Sequence, residues 1–399
     1  MNPYLVERKK GESYTGISIE YRMYLNVAQD KYFNNIGNKL RGAYNLLVKT
    51  YVKGKDYKDI IRKNNENRRE IYAFLTHTEW LENVPSILIE NVCNSFWASL
   101  DNFRKHKKRP PNFKKKSNLL AISSNSSSVS KRLLCDWDNN NFSFFTSLLK
   151  KNNISSKFKT IFHKKLYGAK VKAFTFNKKS DGKWYVSMSF DVTNVMELPE
   201  PVTSKETVGI DVGIKDMAIT SDGNKFQVQI KRIKMLEDRI SKIQKSISRK
   251  QLINKGNFNS NNYKRLLQRK GRLQMEINNL RKQVHQYTTT VLTKGKYGTI
   301  QMEDIKLGFM IKNKHLSRST QRIGINSFTV NLKSVAKSKG ISVNYVNPKN
   351  TSRTCCECGY INKSLKLSHR EWVCPDCNTK HDRDINAAKN IKKSLEITK

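Results

Sequence analysis

Acidic residues are scarce in this sequence. Only 33 Asp and Glu stand against 76 Lys and Arg among 399 residues, so the formal net charge is +43. A surplus of this size repels itself in a compact fold unless a polyanion neutralises it, which indicates nucleic acid as the partner. Long apolar runs are also missing: no stretch approaches the ~18 residues that cross a bilayer, and the start, MNPYLVERKK, lacks the core of a secretory signal. The sequence therefore predicts a soluble cytoplasmic protein with no membrane partner.

Cysteine is also sparse, and five of the seven cysteines lie between residues 355 and 377, unlike the even spread of a disulfide-rich secreted protein. Cys355 and Cys358 form one C-x-x-C pair, and Cys374 and Cys377 form a second pair fifteen residues later. Two such pairs are typical of four thiolates around one Zn²⁺, with a reduced thiol cluster or a redox pair as the alternative. Four thiolates leave no open coordination position, so the predicted zinc is structural. Cys356 is a spare thiol, either a bystander or a competing ligand.

The first half of the chain changes its periodicity twice. Residues 17–25 alternate apolar and polar side chains and predict a strand, whereas 27–106 show helical spacing that ends at KHKKRPPNFKKK. Strands return in a predicted hairpin with its turn at Asp181-Gly182, and the Ser/Asn-rich residues 122–130 predict a loop. This order indicates a β-barrel interrupted by a helical domain.

The second half begins after a proline-containing acidic stretch, 194–206, that predicts a linker. V-G-I-D-V-G-I at 208–214 predicts a buried strand. Apolar residues then step by three and four along 233–247 and 273–291, separated by an Asn/Gly loop at 254–262, which predicts an antiparallel helical hairpin. Its Lys- and Arg-rich faces indicate either solvated surface or contact with nucleic acid.

Three acids lie on three separate predicted elements. Asp211 lies within the apolar strand 208–214, Glu303 follows the strand G-T-I-Q-M, and Asp384 lies in D-R-D-I-N-A-A-K-N-I at the start of a final helix. A buried carboxylate is costly unless cations accompany it. Together the three acids could hold two divalent ions about 4 Å apart for in-line attack on a phosphodiester. Each acid taken alone also has a structural explanation: Asp211 could cap a turn, Glu303 could be a surface acid at a strand end, and Asp384 could be a helix N-cap.

In this order, the motifs resemble the TnpB (OrfB) proteins of insertion sequences. The resemblance is carried by G-I-D-V-G-I-K, M-E-D-I, N-P-K-N-T-S-R-T-C-C-E-C-G, R-E-W-V-C-P-D-C and D-R-D-I-N-A-A-K-N-I, with R-G-A-Y-N and P-N-F-K-K-K further upstream. It implies an α/β plus β-barrel multidomain protein that is similar in architecture to miniature type V CRISPR effectors. The implied domains are 1–26, the first strand of a wedge-like β-barrel; 27–116, a helical recognition domain; 117–200, the remainder of the barrel; 201–350, a RuvC-like (RNase H-like) nuclease domain with a helical hairpin at 230–293; 351–380, an inserted zinc ribbon; and 381–399, the end of the nuclease domain.

The resemblance also implies a function. The expected activity is RNA-guided, Mg²⁺-dependent cleavage of double-stranded DNA beside a short flanking motif, by a monomer on one guide RNA transcribed from the transposon end. The expected location is the bacterial or archaeal cytoplasm, at the nucleoid when the protein is bound to DNA. The family's metal-binding acids correspond to Asp211, Glu303 and Asp384, with Asp382 as the fallback for the third. The alternatives are a catalytically silent RNA-guided regulator, an effector guided by a CRISPR array, and a DNA transposase.

Basic residues in the first half are candidate contacts to nucleic-acid backbone, with ordinary surface cations as the alternative. The candidates are Arg22, Arg41, Lys114, Lys115 and Lys116. Nearby aromatic side chains are predicted to pack in cores rather than to stack on bases. These are Tyr21, Tyr44 and Trp184.

Overall fold

A computed structural model describes residues 4–7, 13–52, 65–106, 110–115, 120–124, 129–197, 200–253, 260–304, 314–366 and 369–394. The chain divides into two compact units near residue 198, inside the stretch predicted as a linker. Over the residues described, no helix has the length and apolar character needed to cross a membrane.

The first unit combines an antiparallel sheet with helices. Its strands are β1 (Tyr4–Glu7), β2 (Ser13–Tyr24), β3 (Leu120–Ser124), β4 (Leu134–Asp136), β5 (Asn141–Ser143), β6 (Lys157–Thr160), β7 (Lys170–Lys178) and β8 (Trp184–Asp191). Its helices are α1 (Val27–Tyr51), α2 (Asn65–Thr76), α3 (Ser86–His106), α4 (Val129–Arg132) and α5 (Thr146–Lys151), with a 3-10 turn at Glu79–Leu81. The strand order is β3-β7-β8-β2-β6-β5-β4, with β1 beside β2. Among the strands described, β3 and β4 lie at the two ends of this order and do not pair with each other, so closure into a barrel remains a prediction.

The predicted strands of this unit are confirmed. Ile17, Ile19 and Tyr21 alternate with more exposed residues on β2 and are almost fully buried, because period-2 spacing places them on one face of the sheet. β7 and β8 form the predicted hairpin, and Gly182 supplies the positive φ of its turn. Tyr44 and Trp184 are buried in the core shared by the sheet and the helices, as predicted.

The predicted loop at 122–130 is wrong at both of its ends. Residues 122–124 belong to β3, where Ile122 pairs with Phe176 of β7, and residues 129–132 form α4. The local Ser/Asn composition favours a loop, but pairing with β7 satisfies the backbone groups and buries Ile122. Residues 125–128 lie outside the described residues.

The second unit is built around a mixed sheet. Its strands are β9 (Thr207–Asp211), β10 (Ala218–Thr220), β11 (Lys225–Phe226), β12 (Thr299–Glu303), β13 (Ser342–Val346), β14 (Glu371–Val373) and β15 (Lys380–Asp382). Its helices are α6 (Ile230–Ile253), α7 (Asn261–Leu292), α8 (Lys314–Ile323), α9 (Ile325–Ser338) and α10 (Arg383–Lys393). The main sheet runs β11-β10-β9-β12-β13, with β12 parallel to both β9 and β13, while β14 and β15 form a separate antiparallel pair.

Two features of this unit matter for the candidate site. Helices α6 and α7 pack on each other along buried apolar side chains such as Ile233 and Ile277, which confirms the predicted hairpin, although residues 254–259 of its loop lie outside the description. Helix α10 packs on β9 so closely that a side chain at Gly209 would collide with the backbone oxygen of Ala388. This close packing brings the N-terminal end of α10 to the strand that ends in Asp211.

Candidate active site

Asp211 and Glu303 lie at the same edge of the main sheet. Asp211 is the last residue of β9, and Glu303 is the last residue of β12. The two strands are parallel neighbours, with Met302 opposite Ile210, so their carboxyl ends meet. Ligand sites in sheets with parallel strands are typically built beyond such ends.

Asp384 comes to this edge from the first turn of α10. The residue that caps this helix is Asp382, whose Oδ1 accepts the backbone N–H groups of Asp384 (3.0 Å) and Ile385 (3.2 Å). Asp382 also forms an ion pair of 2.6 Å with Lys225. The capping role therefore belongs to Asp382, and Asp384 is left to face the sheet edge.

The three acids interact electrostatically. Burial, followed by the negative charges of Glu303 and Asp384, raises the pKa of Asp211 to about 7, against the opposing effect of Arg383 and Arg370. A carboxyl group near neutrality at the edge of a sheet is unusual, because carboxylates normally ionise near pH 4. The site thus holds more negative charge than its own cations balance.

Glu303 has one hydrogen-bond donor from outside the sheet. The hydroxyl of Thr351 donates to Glu303 Oε1 at 2.5 Å. Burial raises the pKa of Glu303, while this hydrogen bond acts in the opposite direction by favouring the ionised form.

Asp384 is paired with arginine. Arg370 Nη1 lies 3.0 Å from Asp384 Oδ2 and 3.2 Å from Oδ1, and Arg383 Nε lies 3.5 Å from Oδ1. Arg370 precedes β14, and its carbonyl accepts the backbone N–H of Arg383 at 2.8 Å. The β14–β15 hairpin therefore supplies a cation to the third acid.

The acids fit divalent cations in their chemistry. The three carboxyl groups offer the oxygen donors that Mg²⁺ prefers, and two arginines lie beside one of them. Within the described ranges, however, only a group of cysteines brings three or more ligand atoms within 4.8 Å of one another. The carboxylates of Asp211, Glu303 and Asp384 therefore influence one another electrostatically without forming so compact a set.

That compact group consists of Cys355, Cys358, Cys374 and Cys377. The Sγ atoms of Cys355 and Cys377 lie 3.7 Å apart, and those of Cys358 and Cys374 lie 3.6 Å apart. A tetrahedron with Zn–S bonds near 2.3 Å has edges of about 3.8 Å, so the four sulfurs fit one zinc ion. Cys356 lies outside this set.

Neighbouring side chains support metal binding by these cysteines. The hydroxyl and the backbone N–H of Thr379 lower the pKa of the Cys377 thiol to about 6, which favours the thiolate that a metal requires. His381 Nε2 lies 3.1 Å from Cys355 Sγ, where a ring N–H can donate to a thiolate. The cluster could bind a structural zinc ion.

Two asparagines of α10 join the cysteine cluster to the acidic site. Asn386 accepts the backbone N–H of Cys356 (2.9 Å) and donates to the carbonyl of Thr354 (2.7 Å). Asn390 donates to the carbonyls of Thr354 (2.6 Å) and Thr351 (2.8 Å). The loop before the first cysteine pair is thereby fixed to the helix that carries the third acid.

The basic candidates of the first unit differ in their surroundings. Arg22 is exposed, with its guanidinium 4.5 Å from the centre of the Tyr24 ring. Arg41 and two exposed lysines, Lys114 and Lys115, line a cavity of about 290 Å³, which brings three of the predicted contacts together. Lys116 lies outside the described residues.

Two contacts hold Lys114 in place, one to its backbone and one to its ammonium group. Asn45 accepts the backbone N–H of Lys114 at 2.7 Å and donates to its carbonyl at 3.0 Å. The ammonium group lies 3.8 Å from the centre of the Tyr44 ring, and its partial desolvation there lowers the pKa of Lys114. Among the residues that the structure describes, no hydrogen-bond partner lies at the buried Nε of Arg41.

The sequence motifs did not identify the residues that connect the two sites. Thr351 and Arg370 lie inside quoted motifs and His381 directly precedes one, but nothing in their spacing assigns them a contact. The spacing of Asn386 and Asn390 does predict that their side chains act together, because residues four apart face the same side of a helix. Their acceptors, by contrast, depend on the path of a loop more than thirty residues away.

Two family models match separate parts of the second half of the chain and the end of the first half. The OrfB family model described as "Probable transposase" matches residues 187–314, and the "Cas12f1-like, TNB domain" model matches residues 326–391. A Streptomyces pristinaespiralis protein named "Putative RNA-guided DNA endonuclease" is 30% identical over 228 residues, 56% of this chain and 53% of its own length. The chain thus spans about half of that relative.

Other relatives are matched over more of their length. The Escherichia coli K12 protein InsQ, named in the same way, is 26% identical over 332 residues, 79% of this chain and 76% of its own length. A TnpB-like protein of Methanocaldococcus jannaschii is 24% identical over 281 residues, 68% of this chain and 85% of its own length.

The fold has a solved counterpart. A cryo-EM structure of a Cas12f1–sgRNA–target DNA complex superposes with a TM-score of 0.59 at 15% identity, covering 92% of this chain and 83% of that one. This likeness concerns the fold, which is a multidomain fold of the TnpB and Cas12 kind. The family-model matches and the named relatives confirm the resemblance predicted from the motifs: the chain is similar to the TnpB (OrfB) proteins and to the Cas12f1 proteins.

Proposed function

We propose that the chain is an RNA-guided, metal-dependent DNA endonuclease of an insertion sequence. The observation that carries this proposal is the meeting of three acids from distant parts of the chain at one sheet edge, where Glu303 and Asp384 both raise the pKa of Asp211. The names of the relatives support RNA as guide and DNA as substrate. In this proposal the second unit is the RuvC-like nuclease domain with its zinc ribbon, and the first unit contains the wedge-like barrel and the recognition helices.

The three acids would hold two Mg²⁺ ions. Ions bound there would lower the pKa of an attacking water and stabilise the leaving oxygen of the cleaved phosphodiester. The chain holds Asp211 and Glu303 at the ends of neighbouring strands and Asp384 on a capped helix, and binding of the ions would draw the three carboxylates closer together and compete with Arg370 for Asp384. The burial that raises the pKa of Asp211 also favours a cation beside it, since a cation compensates the buried charge.

The charge of the protein suits a complex with RNA. The guide would read the target by base pairing, while the protein grips the backbone and reads a short flanking motif, the division of labour seen in RNA-guided effectors. We propose that Arg41, Lys114 and Lys115, together with Arg22 and Lys116, contact phosphates. The net charge of +43 predicts strongly salt-dependent binding. We further propose one structural Zn²⁺ at the four cysteines and one protein chain on each RNA.

The test is to purify the protein after co-expression with its flanking DNA, to sequence the copurifying RNA, and to incubate the complex with a plasmid target library and Mg²⁺. The proposal predicts one RNA ending in variable guide sequence, with cuts beside one short motif. Asp211→Ala should abolish the cuts and keep guide-dependent binding, because this acid holds metal rather than the heteroduplex.

The other outcomes distinguish the remaining functions. Bound RNA without any cut would indicate the silent regulator, and end-joined products would indicate a transposase. A guide that matches a CRISPR array rather than a transposon end would indicate an array-guided effector. If no specific RNA copurified, the RNA-guided proposal would be wrong.

A further inference from the structure

Thr351 lies in the loop just before Cys355, the first cysteine of the cluster, and its side chain contacts Glu303 of the acidic site. Its side chain is buried, with 6% of the residue exposed, and its hydroxyl reaches Glu303 Oε1 at 2.5 Å. The other acceptor near this hydroxyl, the carbonyl of Pro348, is more distant at 3.2 Å. A hydroxyl has one proton to donate, and a carboxylate at the shorter distance is the stronger acceptor.

The position of Thr351 is fixed by the neighbouring elements. Asn390 of α10 donates to its carbonyl, and Asn386 and Asn390 both donate to the carbonyl of Thr354 three residues later. Asn386 also accepts the N–H of Cys356, next to the first cysteine of the cluster. The hydroxyl therefore approaches Glu303 from a backbone that is tied to both the cysteine cluster and the helix of the third acid.

We propose that Thr351 is a positioning residue that orients Glu303 for metal binding, and that the zinc ribbon acts on the nuclease site through it. This inference rests on the proposed function, because it assigns a role to Thr351 in holding the divalent ions. A hydrogen bond to Oε1 limits rotation of the carboxylate and leaves Oε2 available to a cation. Thr351 itself touches neither the substrate nor the reacting atoms.

The size of the effect follows from the chemistry of metal sites. Loss of a hydrogen-bond partner of a metal ligand typically costs 10- to 100-fold in metal affinity or activity. Thr351→Val has nearly the same shape and lacks the hydroxyl, so we expect divalent-ion affinity to fall by about 10- to 100-fold. Thr351→Ser keeps the hydroxyl and should retain the wild-type affinity.

The same loop offers a matched control. Thr354 is also partly buried, but its hydroxyl donates to the carbonyl of Asn350 at 2.9 Å and to no acid. Thr354→Val removes a hydroxyl from the same loop without touching Glu303. It should leave divalent-ion affinity unchanged, whereas a general disturbance of the loop would affect both valine variants.

The experiment measures Mn²⁺ binding to the full-length, zinc-loaded protein by calorimetry, with Asp211→Asn defining binding outside the acidic site. The Mg²⁺ concentration that half-saturates DNA cleavage by the RNA complex is measured in parallel, and zinc content is measured in every variant. The inference predicts weaker Mn²⁺ binding and a higher half-saturating Mg²⁺ concentration for Thr351→Val, with rescue in Thr351→Ser and a full zinc content in both.

Failure of this inference can be separated from failure of the proposed function. Wild-type binding that depends on Asp211 but is unchanged in Thr351→Val would overturn the role of Thr351 alone. Equal losses in Thr351→Val and Thr354→Val would overturn it too, because the loop rather than the hydroxyl would then be responsible. A wild type without binding that depends on Asp211 would overturn the proposed metal site and this inference together.

Discussion

Replacing Asp211 by Asn should stabilise the metal-free protein. The pKa of Asp211 is about 7 in the fold, against 3.8 for an unperturbed Asp, because the carboxyl is buried beside Glu303 and Asp384. At alkaline pH the Asp211 carboxylate is charged in both states, and water solvates this charge better in the unfolded chain than in the folded protein. The difference of about three pKa units corresponds to a cost on the order of 4 kcal/mol at pH 8. Asn has the same shape and carries no charge, so the variant avoids this cost.

The pH dependence of the effect has a definite sign. A carboxyl whose folded pKa is raised binds more protons in the folded state, so wild-type stability falls as the pH rises from about 4 through 7. The advantage of Asp211→Asn should therefore shrink to about 2 kcal/mol at pH 5. Added Mg²⁺ should stabilise the wild type and not the variant, since only the wild type gains a compensated charge.

The assay is urea unfolding of both proteins, zinc-loaded and free of other divalent ions, at pH 5 and pH 8. Asp222→Asn is a control of opposite sign, because hydrogen bonds from Lys296 and Tyr297 lower the pKa of Asp222 and its replacement should destabilise the protein. If Asp211→Asn were no more stable than the wild type at pH 8, the electrostatic account of the site would be refuted.

Two further predictions concern the support of the site. Cys374→Ser should reduce bound zinc and lower the melting temperature, because a structural zinc contributes folding free energy, whereas Cys356→Ser, outside the cluster, should do neither; unchanged zinc and melting in Cys374→Ser would contradict the zinc assignment. Gly209→Ala should lower the free energy of unfolding in urea by more than about 2 kcal/mol, because the added Cβ would collide with α10. A loss near zero would contradict this prediction and show that α10 can move away from β9 at little cost.

Much of the site could be predicted because its residues mark the ends of periodic elements. Glu303 ends a short apolar strand, and the cysteine spacing alone indicates a zinc site; the strand predicted over 208–214, by contrast, is too long, because β9 ends at Asp211. Period-2 alternation likewise identified β2 and the β7–β8 hairpin. In these cases the pattern that identifies each residue is local to its own segment, although the contacts between the segments are not.

The remaining features depend on contacts between distant segments. Residues 122–124, at the start of the Ser/Asn-rich stretch, form a strand because β7 lies beside them, and the local composition does not indicate that partner. The hydrogen bond from Thr351 to Glu303 joins residues 48 positions apart, and the pairing of Arg370 with Asp384 depends on the β14–β15 hairpin. Spacing could not determine either contact.

The most direct test of the central claim compares two neighbouring acids. Asp384→Asn and Asp382→Asn each remove one charge from the same helix end. Asn at 382 keeps a capping side chain, whereas Asn at 384 removes a proposed metal ligand. With the guide-RNA complex, a matched plasmid and Mg²⁺, the account predicts that Asp384→Asn binds target without cutting it, while Asp382→Asn still cuts. Cleavage by Asp384→Asn together with loss of cleavage in Asp382→Asn would contradict the assignment of the third acid.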